Sequence, residues 1–368
     1  MNRAHALLAV ALLLVSCSPA PVPSPSTSPL PSAPVRETTW TRIELPNSAP
    51  ESTIVRAVEI APDRLVIVGE ANHRPTAWTS ADLSTWSAEL MAGRGPLPVH
   101  ATAFSDGVLA IGAGENGNCA HPAGEDAWFR RPARGWVEAA HQDVFCAGGD
   151  PSLAVAGSTA VVVGTGSGSQ PFGWTSDDGL TWVDHHVRFP AEPPFAAVSV
   201  GGIGFIAISQ TFGDGQPWVG WSENGAFWRF DQPFAVPQGA VPIALVSPNS
   251  QTLALYGLAG GGLAGFVSLD HQHWQSLDLR PLQVPGVWQL VDVSGQFAAL
   301  GAGPPASLFV SGNGRAWRRI ALPSEIPPGS NLSVLGTSRG DQLVLAGNPG
   351  DNAGQAQLWI SGPGTLTP

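Results

Sequence analysis

Carboxylates recur at one position along this chain of 368 residues. Asp82, Asp178 and Asp270 each stand two residues after a serine and four before a tryptophan, and Asn224 and Asn313 hold the same place in two further segments. Such a set could ligate a cation or share acid–base work. Its regularity argues for turns instead. An Asp or Asn side chain accepts hydrogen bonds from the backbone N–H groups that follow it, and a glycine behind it, Gly179 in the clearest segment, takes up positive φ. These residues are expected to be structural.

The irregular residues are the better candidates for a site. Asn72, His73 and Arg74 form one polar group, and Glu115, Asn116, His121 and Asp126 a second. His141 lies further on, and Asp214 and Trp218 stand in a fourth stretch. A glycoside hydrolase needs two converging carboxylates, for which Glu115, Glu125, Asp126 and Asp214 are available. Cys119 and Cys146 read as a disulfide in an exported protein, and even with His121 they make an incomplete zinc site. His185 and His186 are adjacent, so on a strand they point to opposite faces. No metal, no cofactor and no complete catalytic set is implied.

The elements that must position these residues follow from the tryptophans. Trp86, Trp136, Trp182, Trp228, Trp274 and Trp317 are separated by 50, 46, 46, 46 and 43 residues, and 46 before Trp86 stands Trp40. Each unit also contains a continuous apolar run ending near glycine, such as Leu65–Gly69, Val108–Gly112 and Leu253–Gly257. A short strand, a buried β-branched strand, a loop and a hairpin closed by Asp-Asp-Gly make four antiparallel strands per unit, the formula of a propeller blade. The last unit stops at Ser361-Gly362-Pro363-Gly364 without a tryptophan, and the stretch from Trp40 to Leu45 has no unit before it. The expectation is an all-β, seven-bladed propeller over residues 36–364. The N-terminal strand closes it by pairing with the last blade, and Trp40 serves as the seventh tryptophan. Abundant Gly (44) and Pro (35) suit many tight turns and oppose long helices.

The segment Ser176-Asp-Asp178-Gly179-Leu-Thr-Trp182 resembles the Asp-box, or BNR repeat, of sialidase-like and photosystem-assembly-factor-like propellers, and Thr175 falls in the first hydroxyl slot of the longer motif. The resemblance covers about 40–364. It departs at Trp128 to Trp136, which lacks an acidic turn, and in the last unit. A sialidase would need an arginine cluster, a tyrosine nucleophile and an early Arg-Ile-Pro. Here the one tyrosine, Tyr256, lies in an apolar run, and Arg42-Ile43 is followed by Glu44.

Leu7 to Val15 is an apolar run too short to span a bilayer. The Leu14-Val15-Ser16-Cys17 that follows resembles the lipobox of bacterial lipoproteins, so residues 1–16 read as a signal peptide and Cys17 as the lipidated residue; an ordinary signal peptide with an incidental cysteine is the alternative. Residues 17–35 then form a Pro/Ser-rich tether. The chain carries a formal charge of −11 and its 17 basic residues are all arginine. With no basic run it is a poor nucleic-acid binder. The sequence therefore points to a lipid-anchored module in the bacterial cell envelope, facing away from the cytoplasm, that binds a protein, peptide or glycan partner or assists assembly; a carbohydrate-active enzyme on a sialidase-like propeller is the alternative.

Overall fold

The computed structural model describes residues 34–46, 53–60, 64–72, 74–91, 98–112, 127–131, 134–139, 151–165, 171–185, 187, 195–201, 204–209, 216–282, 284, 286–301, 306–326, 331–335, 341–348 and 357–366. All of them belong to one compact unit, Ser32–Pro368. The described residues form strands and two short 3-10 turns, with no helix long and apolar enough to cross a membrane.

Two strands precede the first blade: β1 (Val35–Arg36) and β2 (Trp40–Ile43). Blade 1 holds β3 (Thr53–Ile60), β4 (Arg64–Ala71), β5 (Arg74–Ser80) and β6 (Ser87–Leu90). Blade 2 holds β7 (Pro98–Phe104), β8 (Gly107–Gly112), β9 (Ala127–Arg131) and β10 (Gly135–Glu138). Blade 3 holds β11 (Ser152–Ala156), β12 (Thr159–Thr165), β13 (Pro171–Ser176) and β14 (Val183–Asp184). Blade 4 holds β15 (Phe195–Gly201), β16 (Gly204–Ser209), β17 (Val219–Ser222) and β18 (Arg229–Asp231). Blade 5 holds β19 (Val241–Val246), β20 (Thr252–Gly257), β21 (Leu263–Ser268) and β22 (Trp274–Leu277). Blade 6 holds β23 (Val287–Val293), β24 (Gln296–Gly301), β25 (Ser307–Ser311) and β26 (Arg318–Ile320). Blade 7 holds β27 (Asn331–Leu335), β28 (Val344–Asn348) and β29 (Gln357–Ser361), and takes its fourth strand from β2.

Each blade is an antiparallel meander, and the innermost strands neighbour one another around a complete ring, β27 meeting β3. The second strand of each blade is an apolar run because neighbouring blades cover both of its faces. In β4, β8, β16 and β20 these residues are buried almost without a break. The cores lie between blades. Seven apolar clusters of described residues occur, each drawn from two adjacent blades. Trp86 fills the seam between blades 7 and 1, Trp136 that between 1 and 2, Trp182 that between 2 and 3, and Trp317 that between 5 and 6. Trp228 and Trp274, half-buried, pack into the seams of blades 3 and 4 and blades 4 and 5.

Closure is as the sequence predicts. β2 pairs antiparallel with β29, Trp40 opposite Ser361 and Ile43 opposite Leu358. Trp40 packs into the seam between blades 6 and 7, and its indole N–H donates to the Ala321 carbonyl at 2.8 Å. Thr365 and Leu366, just beyond the last strand, are both buried. Gly362 N–H donates to the Thr39 carbonyl at 2.8 Å, tying the segment after β29 to the one before β2, and Leu366 N–H donates to the Asp341 carbonyl at 2.9 Å within the last blade.

The structure adds one strand that the sequence does not announce. Val35, placed by sequence in the tether, belongs to β1, which pairs in parallel with β26 and makes blade 6 five-stranded. The N-terminal segment thus crosses from the outer edge of blade 6 to that of blade 7.

Candidate functional site

The hairpin turns between the third and fourth strands consume the recurring carboxylates. Ser80 Oγ donates to Asp82 Oδ1 at 3.2 Å, and the same oxygen accepts from the N–H groups of Ser84 and Thr85 at 2.9 and 2.7 Å. Those two backbone donors, Thr85 foremost, hold the Asp82 carboxyl well below the usual range. Asp178 does likewise with Leu180 and Thr181 N–H at 2.8 and 2.6 Å, and also accepts from Thr181 Oγ1 at 2.9 Å. Burial pushes its carboxyl up, but the donors outweigh it and the net shift is downward. Asp270 accepts from Gln272 and His273 N–H at 3.0 and 2.7 Å, and the His273 ring lies 2.6 Å away through Nδ1. The His273 side chain, then its backbone, hold this carboxyl far down. Asn224 and Asn313 reproduce the geometry through their amide oxygens.

Each turn also docks on the preceding blade. Its fourth residue has positive φ: Leu83, Gly179, Gly225, His271 and Gly314. A Cβ on Gly179 would stand 3.2 Å from the Phe129 ring of blade 2, and one on Gly314 would stand 2.6 Å from Leu253 of blade 5. Leu83 instead packs into the core that blade 1 shares with blade 7. The indole N–H of Trp86, Trp228, Trp274 and Trp317 donates to the carbonyl of that fourth residue at 2.8 to 3.1 Å. In sequence blade 2 departs from this pattern: Arg130 stands in the serine slot, six residues before Trp136, and Pro132 in the Asp/Asn slot.

Tyr256 is fully buried and donates to the Ser209 carbonyl at 3.4 Å; burial pushes its phenol far up. That environment disfavours the phenolate a nucleophile would require. Among the described residues no three His, Cys, Asp or Glu side chains converge as metal ligands. Thr175, the first hydroxyl of the longer motif, meets His185 Nε2 at 2.7 Å.

The second-to-third-strand loops and the blade-to-blade connections share the opposite face. Five inner strands carry a β-bulge near that face, between Ile54 and Arg56, Pro98 and His100, Phe195 and Ala197, Pro242 and Ala244, and Val287 and Gln289. Bulges bend a strand and re-aim what it carries. Of the sequence candidates, Asn72 and Arg74 are exposed here. Ala71, the last residue of β4, pairs directly with Arg74, the first of β5, and Asn72 beside that pair has φ 52°. Trp218 is half-buried, and its backbone is tied to Ser209 at 2.8 and 2.9 Å, extending the ladder toward the loop face. His73, Glu115, Asn116, His121, Asp126, His141 and Asp214 lie outside the described residues, as do Glu125, Cys17, Cys119 and Cys146.

Two features escaped the sequence reading. His271 occupies a position that glycine holds in other turns, so nothing in the sequence marks it as buried. Arg130 stands in a segment notable only for what it lacks.

No family model matches the chain, and no curated protein sequence does. Among solved structures the fold is similar to PorZ of Porphyromonas gingivalis, an essential bacterial surface component of the type-IX secretion system: TM-score 0.51 and 12% identity over 86% of this chain and 37% of that one. It is also similar to Trypanosoma rangeli sialidase in complex with the inhibitor DANA (TM-score 0.48, 13% identity, 89% and 60% covered) and to a mutant of that sialidase displaying trans-sialidase activity (0.48, 13%, 89% and 59%). The chain spans between 37% and 60% of the length of these structures. At such identities the likeness is one of fold.

Proposed function

We propose that this protein is a lipid-anchored module of the bacterial cell envelope that holds a protein, peptide or glycan partner on the loop face of its propeller, in a binding or assembly role. The observation that carries this reading is a division between the two faces. The regular carboxylates and tryptophans are committed to turns and seams, where Asp82, Asp178 and Asp270 accept backbone hydrogen bonds. A rigid ring that leaves Asn72 and Arg74 exposed at its other end suits presentation of a binding surface. The PorZ likeness agrees with an envelope location, since that protein is a bacterial surface component.

Two assays on the full chain test the reading. Quantitative capture from envelope extract, together with binding to a glycan array, should recover a partner that competes specifically. Incubation with the same glycans should leave them intact. Hydrolysis that is lost on changing Glu115, Glu125, Asp126 or Asp214 would make the protein an enzyme and overturn the proposal.

A further inference from the structure

The two most exposed large apolar side chains among the described residues stand on neighbouring turns: Phe227 of blade 4, 80% exposed, and Leu269 of blade 5, 75% exposed. The turns do not need them. Phe227 offers its N–H to Asn224 Oδ1 at 3.2 Å, a bond that Thr85, Thr181, His273 and Ala316 make in other blades. Leu269 fills the slot that Ala81, Asp177, Glu223 and Gly312 hold elsewhere. A third large side chain adjoins them. Trp221, half-buried, precedes the turn serine Ser222 and shares the strand face of Val219, which packs toward blade 5. Arg229 lies over its ring at 4.7 Å. The blade 5 turn closes on blade 4, since a Cβ on Gly201 would stand 2.8 Å from the His271 ring. An apolar stretch thus follows the turn rim from blade 4 to blade 5. These turns and the next expose Glu223 and Asp270 against Arg229 and Arg315, so the stretch carries little net charge.

The direction of β1 says what faces this rim. β26 starts at Arg318, directly after the blade 6 turn, and runs away from the turn face. β1 pairs with it in parallel, Val35 opposite Arg319, and the Pro34 carbonyl accepts from Arg319 N–H at 2.9 Å. The chain therefore enters the propeller from the turn face, on the blade next to blade 5, and Cys17 stands 18 residues before Val35. We infer that the turn rim of blades 4 and 5 rests on a lipid bilayer, with Phe227 and Leu269 in the acyl layer and Trp221 at the level of the headgroups, the boundary that amphipathic rings favour. This placement rests on the lipid-anchored reading above. It turns the loop face away from the membrane, open to a partner. The attraction is apolar, so salt does not screen it.

The chain as isolated from bacterial membranes, reconstituted with phosphatidylcholine vesicles that contain a trace of phosphatidylcholine bearing an acyl-chain diazirine, tests the placement. After illumination, mass spectrometry should find lipid adducts on Phe227 and Leu269 and none on Asn72 or Arg74 of the loop face, at about 0.1 M and about 1 M salt alike. In Phe227→Ser the adducts on Leu269 should fall about tenfold or more, since one insertion carries both side chains. The melting temperature of this variant should match that of the unaltered chain, because Phe227 is exposed. Adducts on neither turn, adducts on Asn72 or Arg74, or Leu269 labelling that Phe227→Ser leaves unchanged would each overturn the placement. So would self-association in which a second copy shields both turns from the lipid. Those results leave the anchor standing, whereas an intact mass that shows Cys17 without acyl chains removes the anchored reading and the placement with it.

Discussion

Arg130 of blade 2 lays its guanidinium along the Glu89 carboxylate of blade 1, Nε to Oε2 at 2.8 Å and Nη2 to Oε1 at 3.0 Å. Arg130 is buried, and it stands where other blades place the turn serine. Blade 2 has thus exchanged a turn that grips itself for a fork that grips its neighbour. The arginine holds the Glu89 carboxyl below its usual range, with burial opposing. Because the shift is downward, this stabilisation is present above the unfolded value of about 4.3 and is lost as pH falls through the lower folded value. Glu89→Gln should cost about 1–3 kcal/mol by stranding a buried cation, less than a fully buried pair because Glu89 is about one-third exposed. Adding Arg130→Met should recover part of that loss. Urea unfolding of the singles and the double decides it: strictly additive losses would mean the pair is not coupled.

The turn carboxylates should show a graded response. Asp178→Ala removes the acceptor for Leu180 and Thr181 N–H and should cost about 1–2 kcal/mol. Asp178→Asn should cost less, since Asn224 and Asn313 fill the role elsewhere. Asp82, Asp178 and Asp270 are all held below their ordinary range, so they stabilise the fold above about pH 4 and cease to do so as acid protonates them. A triple Asp→Asn variant should therefore have a flatter stability curve below pH 4. Parallel acid limbs for variant and unaltered chain would contradict this.

His271 and His273 sit on one turn and should titrate in opposite senses. His271 is buried, and its Nε2 has no hydrogen-bond partner among the described residues; burial pushes its pKa down, with Asp270 opposing. A depressed value means stability is complete above about 6.5 and is lost as pH falls through the folded pKa. His273 is exposed and raised by Asp270, so its small contribution is present below about 6.5 and fades as pH rises through the raised value. His271→Asn should flatten the decline in melting temperature between pH 7 and 5, and an unchanged slope would refute the assignment. Gly201→Ala should destabilise, because the new Cβ would stand 2.8 Å from both His271 Nε2 and Ile206 Cδ1, and His271→Gly should rescue part of the loss.

Ring closure predicts that Trp40 behaves as a blade tryptophan despite its distance in sequence. Trp40→Ala should cost about 2–4 kcal/mol, comparable to Trp317→Ala, and Leu366→Ala about 2–4 kcal/mol, since Leu366 is buried in the same seam. Chemical denaturation checks all three. A Trp40→Ala cost below about 1 kcal/mol beside a large Trp317→Ala cost would separate Trp40 from the series.

The ladder of tryptophans, the apolar second strands and the closing role of Trp40 are legible in the sequence because burial on both faces demands them at a fixed period. What is not legible depends on contacts between blades. Arg130 reads as the absence of a motif until Glu89 is beside it. His271 and Leu83 occupy positive-φ positions that the sequence suggests only for glycine, and docking on the preceding blade holds them there. β1 carries too few residues to show a period.

The central claim is that the two faces divide scaffold from function. Quantitative crosslinking of the full chain to its envelope partner, compared between a loop-face variant (His121→Ala with Asp126→Ala) and a turn variant (Asp82→Asn with Asp178→Asn), tests it most directly, each variant first shown to melt cooperatively. The loop-face variant should lose about tenfold or more of the partner, while the turn variant keeps it within about twofold. Loss of the partner in the turn variant, with the loop-face variant unaffected, would contradict the account.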